Sequence, residues 1–168
     1  MRTTVLTAVA VCVLCVAGIA APAAAPAPHA DRVLVLKNER TLQLLSRGKV
    51  VKTYRIALGG DPIGPKTRQG DRKTPEGIYV LDFRNAHSKF YKAIHISYPS
   101  ARDRAAAHEQ GASPGGDVFL HGLPNGFGYL GAAHRLKDWT DGCVAVTNAE
   151  IDEIWAAVAD GTPIEIRP

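Results

Sequence analysis

The sequence predicts a small, mostly β domain with one clear α-helix in its C-terminal region and a short surface helix. Three observations carry this. Short apolar or alternating runs separated by tight turns fill residues 32–58. Turn-rich Gly/Pro segments recur at 59–77 and 122–138. One stretch, 149–158, carries apolar residues at clear helical spacing.

Residues 32–37 read as a β run, 38–40 as a turn, 41–46 as a second strand, Arg47-Gly48 as a tight turn and 49–58 as a third strand, together a β-meander. Gly59-Gly60 is no nucleotide cradle, because it lacks a G-x-G-x-x-G pattern and no helix opens after it. Residues 78–81 and 94–98 look like further strands. Residues 100–110, charged and Ala-rich, fit a short surface helix or a flexible loop. Residues 117–121 form a buried strand ending on His121, and 142–146 start or follow another. In the helix, Ile151, Ile154, Trp155 and Val158 recur at i, i+3, i+4 and i+7, with Asn148 expected as N-cap and acids in the first turn. Residues 162–166 close the chain as a strand.

Ahead of this domain, Arg2 and an uncharged apolar run over 5–20 precede small residues at Gly18 and Ala20, the pattern of a signal peptide over residues 1–20. An uncleaved anchor is the alternative. Residues 21–30 form a Pro/Ala linker expected to be extended and unable to pack a core. Residues 31–168 are enough for one domain. The expected location is a periplasm or cell-wall space. Removing residues 1–20 takes away Arg2 and no acid, so the formal charge falls from +4 to +3. Lys and Arg are scattered with no interleaved aromatics, which argues against a nucleic-acid reader.

Of three cysteines, Cys12 and Cys15 lie in the apolar run and Cys143 is alone in the domain. Exported proteins usually pair their thiols, so a lone one behind Gly142 suggests reactivity. A thiol attacks a carbonyl as its thiolate and needs a base and donors for the developing oxyanion. His121, at a strand end before Gly122, is a plausible base. A buried structural cysteine beside a core-capping histidine is the competing reading.

Phe119-Leu120-His121-Gly122, Thr140-Asp141-Gly142-Cys143-Val144, the helix after Asn148, residues 161–166 and the Gly-Asp-x-x-Thr-Pro-Glu-Gly segment at 70–77 together resemble the L,D-transpeptidase (YkuD-type) catalytic domain. The resemblance implies a β-sandwich-like domain acting as a monomer on peptidoglycan tetrapeptide stems, without cofactor. It implies Cys143 as nucleophile, His121 as general base, and the backbone N–H groups of Gly142 and Cys143 as oxyanion donors. D-alanine would leave, and the acyl group would pass to an amine, a wall-linked protein acceptor or water. An L,D-carboxypeptidase or amidase of the same fold is one alternative, and a degenerate peptidoglycan-binding domain another. Asp141 stands where the family pattern has histidine, and Ala145 where Arg or Asn is often found. The spacer from His121 to Thr140 is longer than usual.

Trp139, Thr140, Asp141 and Tyr129 are the further candidate substrate contacts, with a buried loop anchor the competing reading for Trp139. His134 reads as an exposed loop histidine, with substrate contact the alternative. Arg72 and Lys73 read as a solvated turn, with the stem's carboxylates as alternative partners. His87, His95 and His108 lack the spacing of a zinc site, so no metal is expected.

Overall fold

The computed structural model describes residues 29–168. The expected signal peptide, Cys12, Cys15 and nearly all of the Pro/Ala linker lie outside the described residues. Ala30, at the linker's expected end, is fully buried and donates its N–H to Ala157 O. Core packing therefore starts at Ala30.

The fold is mostly β, as expected: among the described residues, one mixed eight-stranded sheet with three helical segments. Its strands are β1 (Arg32–Leu36), β2 (Thr41–Ser46), β3 (Lys49–Arg55), β4 (Gly77–Ser88), β5 (Tyr91–Ile96), β6 (Phe119–His121), β7 (Val144–Ala145) and β8 (Thr162–Arg167). They lie in the order β3-β2-β1-β8-β4-β5-β6-β7. Although β3 and β7 sit at opposite ends of that order, the chain just after β3 returns to β7. Ala57 and Ala145 exchange both N–H···O bonds, at 3.0 and 2.9 Å. The sheet thus curls until its ends meet, the sandwich-like closure that lets one sheet enclose a core. Val33, Val35, Leu42, Leu44, Leu81, Ile94, Ile96, Leu120, Ile164 and Ile166 point inward from its strands. Alternation places them there, since successive side chains of a strand face opposite ways.

The helix α2 (Asn148–Ala157) caps the core with Ile151 and Ile154. Its N-cap is Thr147, which corrects the assignment to Asn148. Thr147 and Glu150 form a reciprocal capping box, satisfying two otherwise orphaned backbone donors. Asn148 turns its side chain back instead, and its Oδ1 accepts the Leu123 N–H at 2.9 Å. The surface helix α1 (Ala101–Glu109) forms behind a second capping box, Ser100 with Asp103. The third expected strand ends at Arg55 rather than at 58, because Ala57–Gly59 are drawn away to bridge Ala145 and Thr140. β4 runs on to Ser88, well beyond the expected 78–81, because it forms a bulged ribbon with β5 whose outer face is polar and exposed. Within the turn-rich stretch 122–138, residues 128–136 coil into a 3-10 segment broken at Gly131, whose φ is 46°.

Candidate active site

β6 ends on His121, and its parallel partner β7 starts one residue after Cys143. Pairing these two strands is what brings together residues far apart in sequence. His121 and Cys143 line one groove of about 580 Å³ that also takes in Asn85, His87, Lys89 and Phe119.

The thiol sits in a polar notch. The Phe119 N–H donates to Cys143 Sγ at 3.4 Å, and the thiol reaches Asp117 O at 3.8 Å. Burial raises the thiol above its ordinary pKa. The Phe119 N–H opposes the rise, the Asp141 carboxylate adds to it, and Lys66 opposes it. The thiol is therefore neutral at rest.

His121 is buried, and its Nδ1 lies 2.6 Å from Gly122 O. A carbonyl can only accept, so Nδ1 carries the proton and Nε2 keeps a free lone pair. Desolvation lowers the ring's pKa to about 4, against a weaker opposing contribution from the Gly122 bond, and nearby His134 lowers it further. Phe90 and Trp139 pack on the imidazole at 4.4 and 5.8 Å between ring centroids. The site thus holds a neutral thiol and a neutral, tautomer-locked base.

Residues 140–143 form a tight turn, and Thr140 serves that turn. It was expected at the substrate, but its side chain is buried. Its Oγ1 accepts the Gly142 N–H at 3.1 Å and donates to Cys143 O at 2.8 Å. The Gly142 N–H, expected as an oxyanion donor, is thereby committed. Among the described residues the Cys143 N–H has no partner within the protein. Asp141 is exposed and faces Arg72 at 3.7 Å. Tyr129 is 79% exposed beside Phe127 and does not line the groove.

Trp139 is half-buried and serves as the loop anchor, and it is not among the residues that line the groove. It packs on His121 and donates its indole N–H to His134 Nδ1 at 3.4 Å. His134 is buried, which corrects its reading as an exposed loop histidine: the loop folds it under Trp139. Desolvation lowers its pKa to about 4.

Sequence reasoning missed the scaffold beneath the turn. Lys66 Nζ and Asp71 Oδ1 form a buried ion pair at 2.8 Å. Asp71 also accepts the N–H groups of Thr67, Arg68 and Lys73. Lys37, fully buried, donates to Gly64 O, Thr74 O and Glu76 at 2.6, 3.0 and 2.7 Å. The 70–77 segment is therefore a fastened ledge. Lys73 Nζ reaches Ile63 O and Asp61, so it is not a free cation.

Gly142 rests on this ledge with φ 130°, and a Cβ there would come within 2.6 Å of Lys73 O. Neither backbone can yield cheaply. Gly142→Ala is expected to destabilise the fold by roughly 1–3 kcal/mol and to slow alkylation of Cys143 by about 10²-fold through misplacement of the thiol. Thermal melting and the alkylation rate check both effects. Among the described residues, no group of three or more His, Cys, Asp or Glu converges as a metal-ligand set.

Comparison with known proteins places this geometry among relatives. A family model for the L,D-transpeptidase catalytic domain (YkuD) matches residues 30–166. YafK of Escherichia coli K12, provisionally named an L,D-transpeptidase, is 35% identical over 133 residues, covering 75% of this chain and 46% of YafK. The crystal structure of the helical cell shape determining protein Pgp2 (K307A) from Campylobacter jejuni aligns with TM-score 0.65 and 27% identity, over 83% of this chain and 47% of that one. The L,D-transpeptidase of Xylanimonas cellulosilytica shares the fold at 15% identity and TM-score 0.53, over 83% and 61% of the two chains. The chain spans about half the length of the curated relatives it matches.

Proposed function

Because the chain belongs to the L,D-transpeptidase (YkuD) catalytic-domain family, which acts on peptidoglycan peptides, we propose that it is an exported acyltransferase using Cys143 as nucleophile on tetrapeptide stems. The observation that carries this reading is the pairing in one groove of Cys143 with a histidine whose Nδ1 proton is fixed on Gly122 O.

In the proposed reaction His121 Nε2 takes the Cys143 proton as Sγ attacks the carbonyl of the diamino acid at position three of the stem. The tetrahedral oxyanion meets the Cys143 N–H. The C–N bond then breaks, and the proton on Nε2 passes to the departing D-alanine amine. His121 next deprotonates an incoming amine, which attacks the thioester and releases Cys143 as a thiol again. The neutral starting pair suits this cycle, since burying a thiolate and imidazolium without further partners would be costly. Burial above all, with a smaller contribution from Asp141, keeps the resting thiol protonated.

Hydrolysis is the second reading, with water in place of the amine acceptor. The Pgp2 relative, named for determining helical cell shape, supports a role in shaping the wall, which transfer or trimming could each serve. Signal-peptide-directed export belongs to the same proposal and rests on residues 1–20. Among the described residues no helix is long and apolar enough to cross a membrane.

The test incubates the protein and its Cys143→Ala variant with purified tetrapeptide muropeptides and reads products by mass spectrometry. Transfer predicts cross-linked dimers and free D-alanine, both absent with the variant. Shortened monomers alone would move the assignment to hydrolase. Identical products from both proteins would sink the catalytic reading.

A further inference from the structure

The groove that ends at Cys143 has a charged far end with no role in the chemistry so far. Asn85, Ala93, His121 and Ala145 are successive cross-strand partners from β4 to β7. Such partners share a sheet face, so Asn85 lies two strand spacings, about 10 Å, from His121. His87 lies two residues further along β4, where the β4–β5 register is irregular, and Lys89 follows in the β4–β5 turn. Both line the groove.

That turn is fastened. Asn125, from the loop following His121, donates its N–H to Lys89 O at 2.9 Å and its side-chain amide to Ser88 O at 3.0 Å. Its Oδ1 accepts the Tyr91 N–H at 2.9 Å. Lys89 and His87 are therefore carried on a backbone tied to the segment that holds the base. Neighbouring cations are engaged elsewhere: Lys92 pairs with Asp152 at 2.6 Å and Arg84 with Asp160 at 2.7 Å. Among the described residues neither Lys89 nor His87 has a carboxylate partner. Arg72 and Lys73, the candidates for the stem's carboxylates, are tied to Asp141 and Asp61.

We propose that Lys89, assisted by His87, is the specificity-determining cation of the groove and binds a carboxylate of the donor stem upstream of the bond that Cys143 attacks. The proposal rests on the peptidoglycan-stem reading. The diagonal from His121 to the level of His87 is about 12 Å, a gap that the Lys89 side chain shortens by reaching back from the turn, and an extended peptide advances about 3.5 Å per residue. A carboxylate two to three residue lengths from the scissile carbonyl fits that span. It could belong to the stem's second residue or to the far end of the diamino acid side chain. Asp117, exposed at the Cys143 end of the groove, gives the trough opposite charges at its two ends, which fixes the direction in which a charged stem lies.

A charge-assisted hydrogen bond is worth about 10- to 100-fold in affinity. Lys89→Met is therefore expected to raise KM for a free-carboxylate tetrapeptide at least 10-fold with kcat within about twofold. Lys89→Arg should stay near wild type, and Lys89→Glu should lose more than Lys89→Met. Two stems, each with one carboxylate replaced by carboxamide, identify the source: the matching amide erases the difference between wild type and Lys89→Met. Binding of the same stems to Cys143→Ala protein, measured by calorimetry, is read separately from turnover. If turnover is absent but binding still depends on Lys89, the reaction assignment falls and the carboxylate site stands. If turnover is normal and both KM and binding are unchanged in Lys89→Met and Lys89→Glu, the carboxylate site falls and the reaction stands.

Discussion

Replacing His121 with glutamine is expected to slow acylation of Cys143 by roughly 10³-fold, within the range general-base catalysis contributes, while leaving the sheet intact. Glutamine keeps a polar group near Gly122 but offers no basic nitrogen. Without Nε2 the thiol can react only through its thiolate, and burial makes that thiolate scarce. The pH profile separates loss of the base from loss of shape. With the ring's pKa at about 4, wild-type kcat/KM should stay flat on descending through pH 6 and fall only near 4. In His121→Gln that acid limb should vanish and the residual rate should climb with thiolate up to high pH. A wild-type limb near 6.5 would mean that a solvated histidine, and not the buried one, supplies the base. The same burial links His121 to stability. The folded ring binds its proton less readily than the unfolded chain's, so its contribution is full above pH 6.5 and is lost as pH falls towards 4, about 3 kcal/mol in all. His121→Gln should be correspondingly less acid-sensitive in a thermal melt read between those values.

How much of this was legible in the sequence differs by element, and the reasons are physical. β1 and β2 follow from local alternation, and β2 runs over the very residues expected, because both bury one face against the core. The outer half of β4 was hidden because Asn85 and His87 are exposed polar residues and Arg84 is held by Asp160 and Trp155 O, so no apolar period marks them. Thr147 was readable as the cap, since Thr147 and Glu150 have capping-box spacing, but Asn148 next door is an equally good capping residue type. Cys143 and His121 stood out through residue type and context, whereas their meeting depends on the β6–β7 pairing. His134 and Thr140 were misplaced because burial by Trp139 and by the turn itself is tertiary. Lys89 and His87 carry no local signal either. Only the curled sheet and the Asn125 clamp bring them to the groove.

Asp71→Asn should be the most damaging substitution away from the thiol and its base, costing about 3–5 kcal/mol, the usual penalty for stranding one member of a buried ion pair. For a domain of this size that lowers the melting temperature by roughly 10–20 °C. Burial by itself would raise the Asp71 carboxyl. The Lys66 bond and the N–H groups of Arg68, Thr67 and Lys73 outweigh it and hold the pKa at about 2. A carboxyl held down in this way stabilises the fold fully above its ordinary value of 3.8 and loses that contribution as pH falls through 2. The gap between Asp71→Asn and wild type should therefore be constant from neutrality down to about pH 4 and close below it. Asparagine can still accept from the backbone, so most of the damage comes from Lys66, left buried and unpaired. Adding Lys66→Met to Asp71→Asn removes that stranded charge and should recover part of the loss, which a general weakening of the loop would not allow. The injury should also reach the thiol. Lys73 O lies against Gly142, and Lys66 favours negative charge on Cys143, so alkylation of Cys143 should slow in the single variant at temperatures well below its melt. An Asp71→Asn protein that melts within a few degrees of wild type and alkylates at the wild-type rate would mean that water shares the pair and that the ledge is not what holds the nucleophile in place.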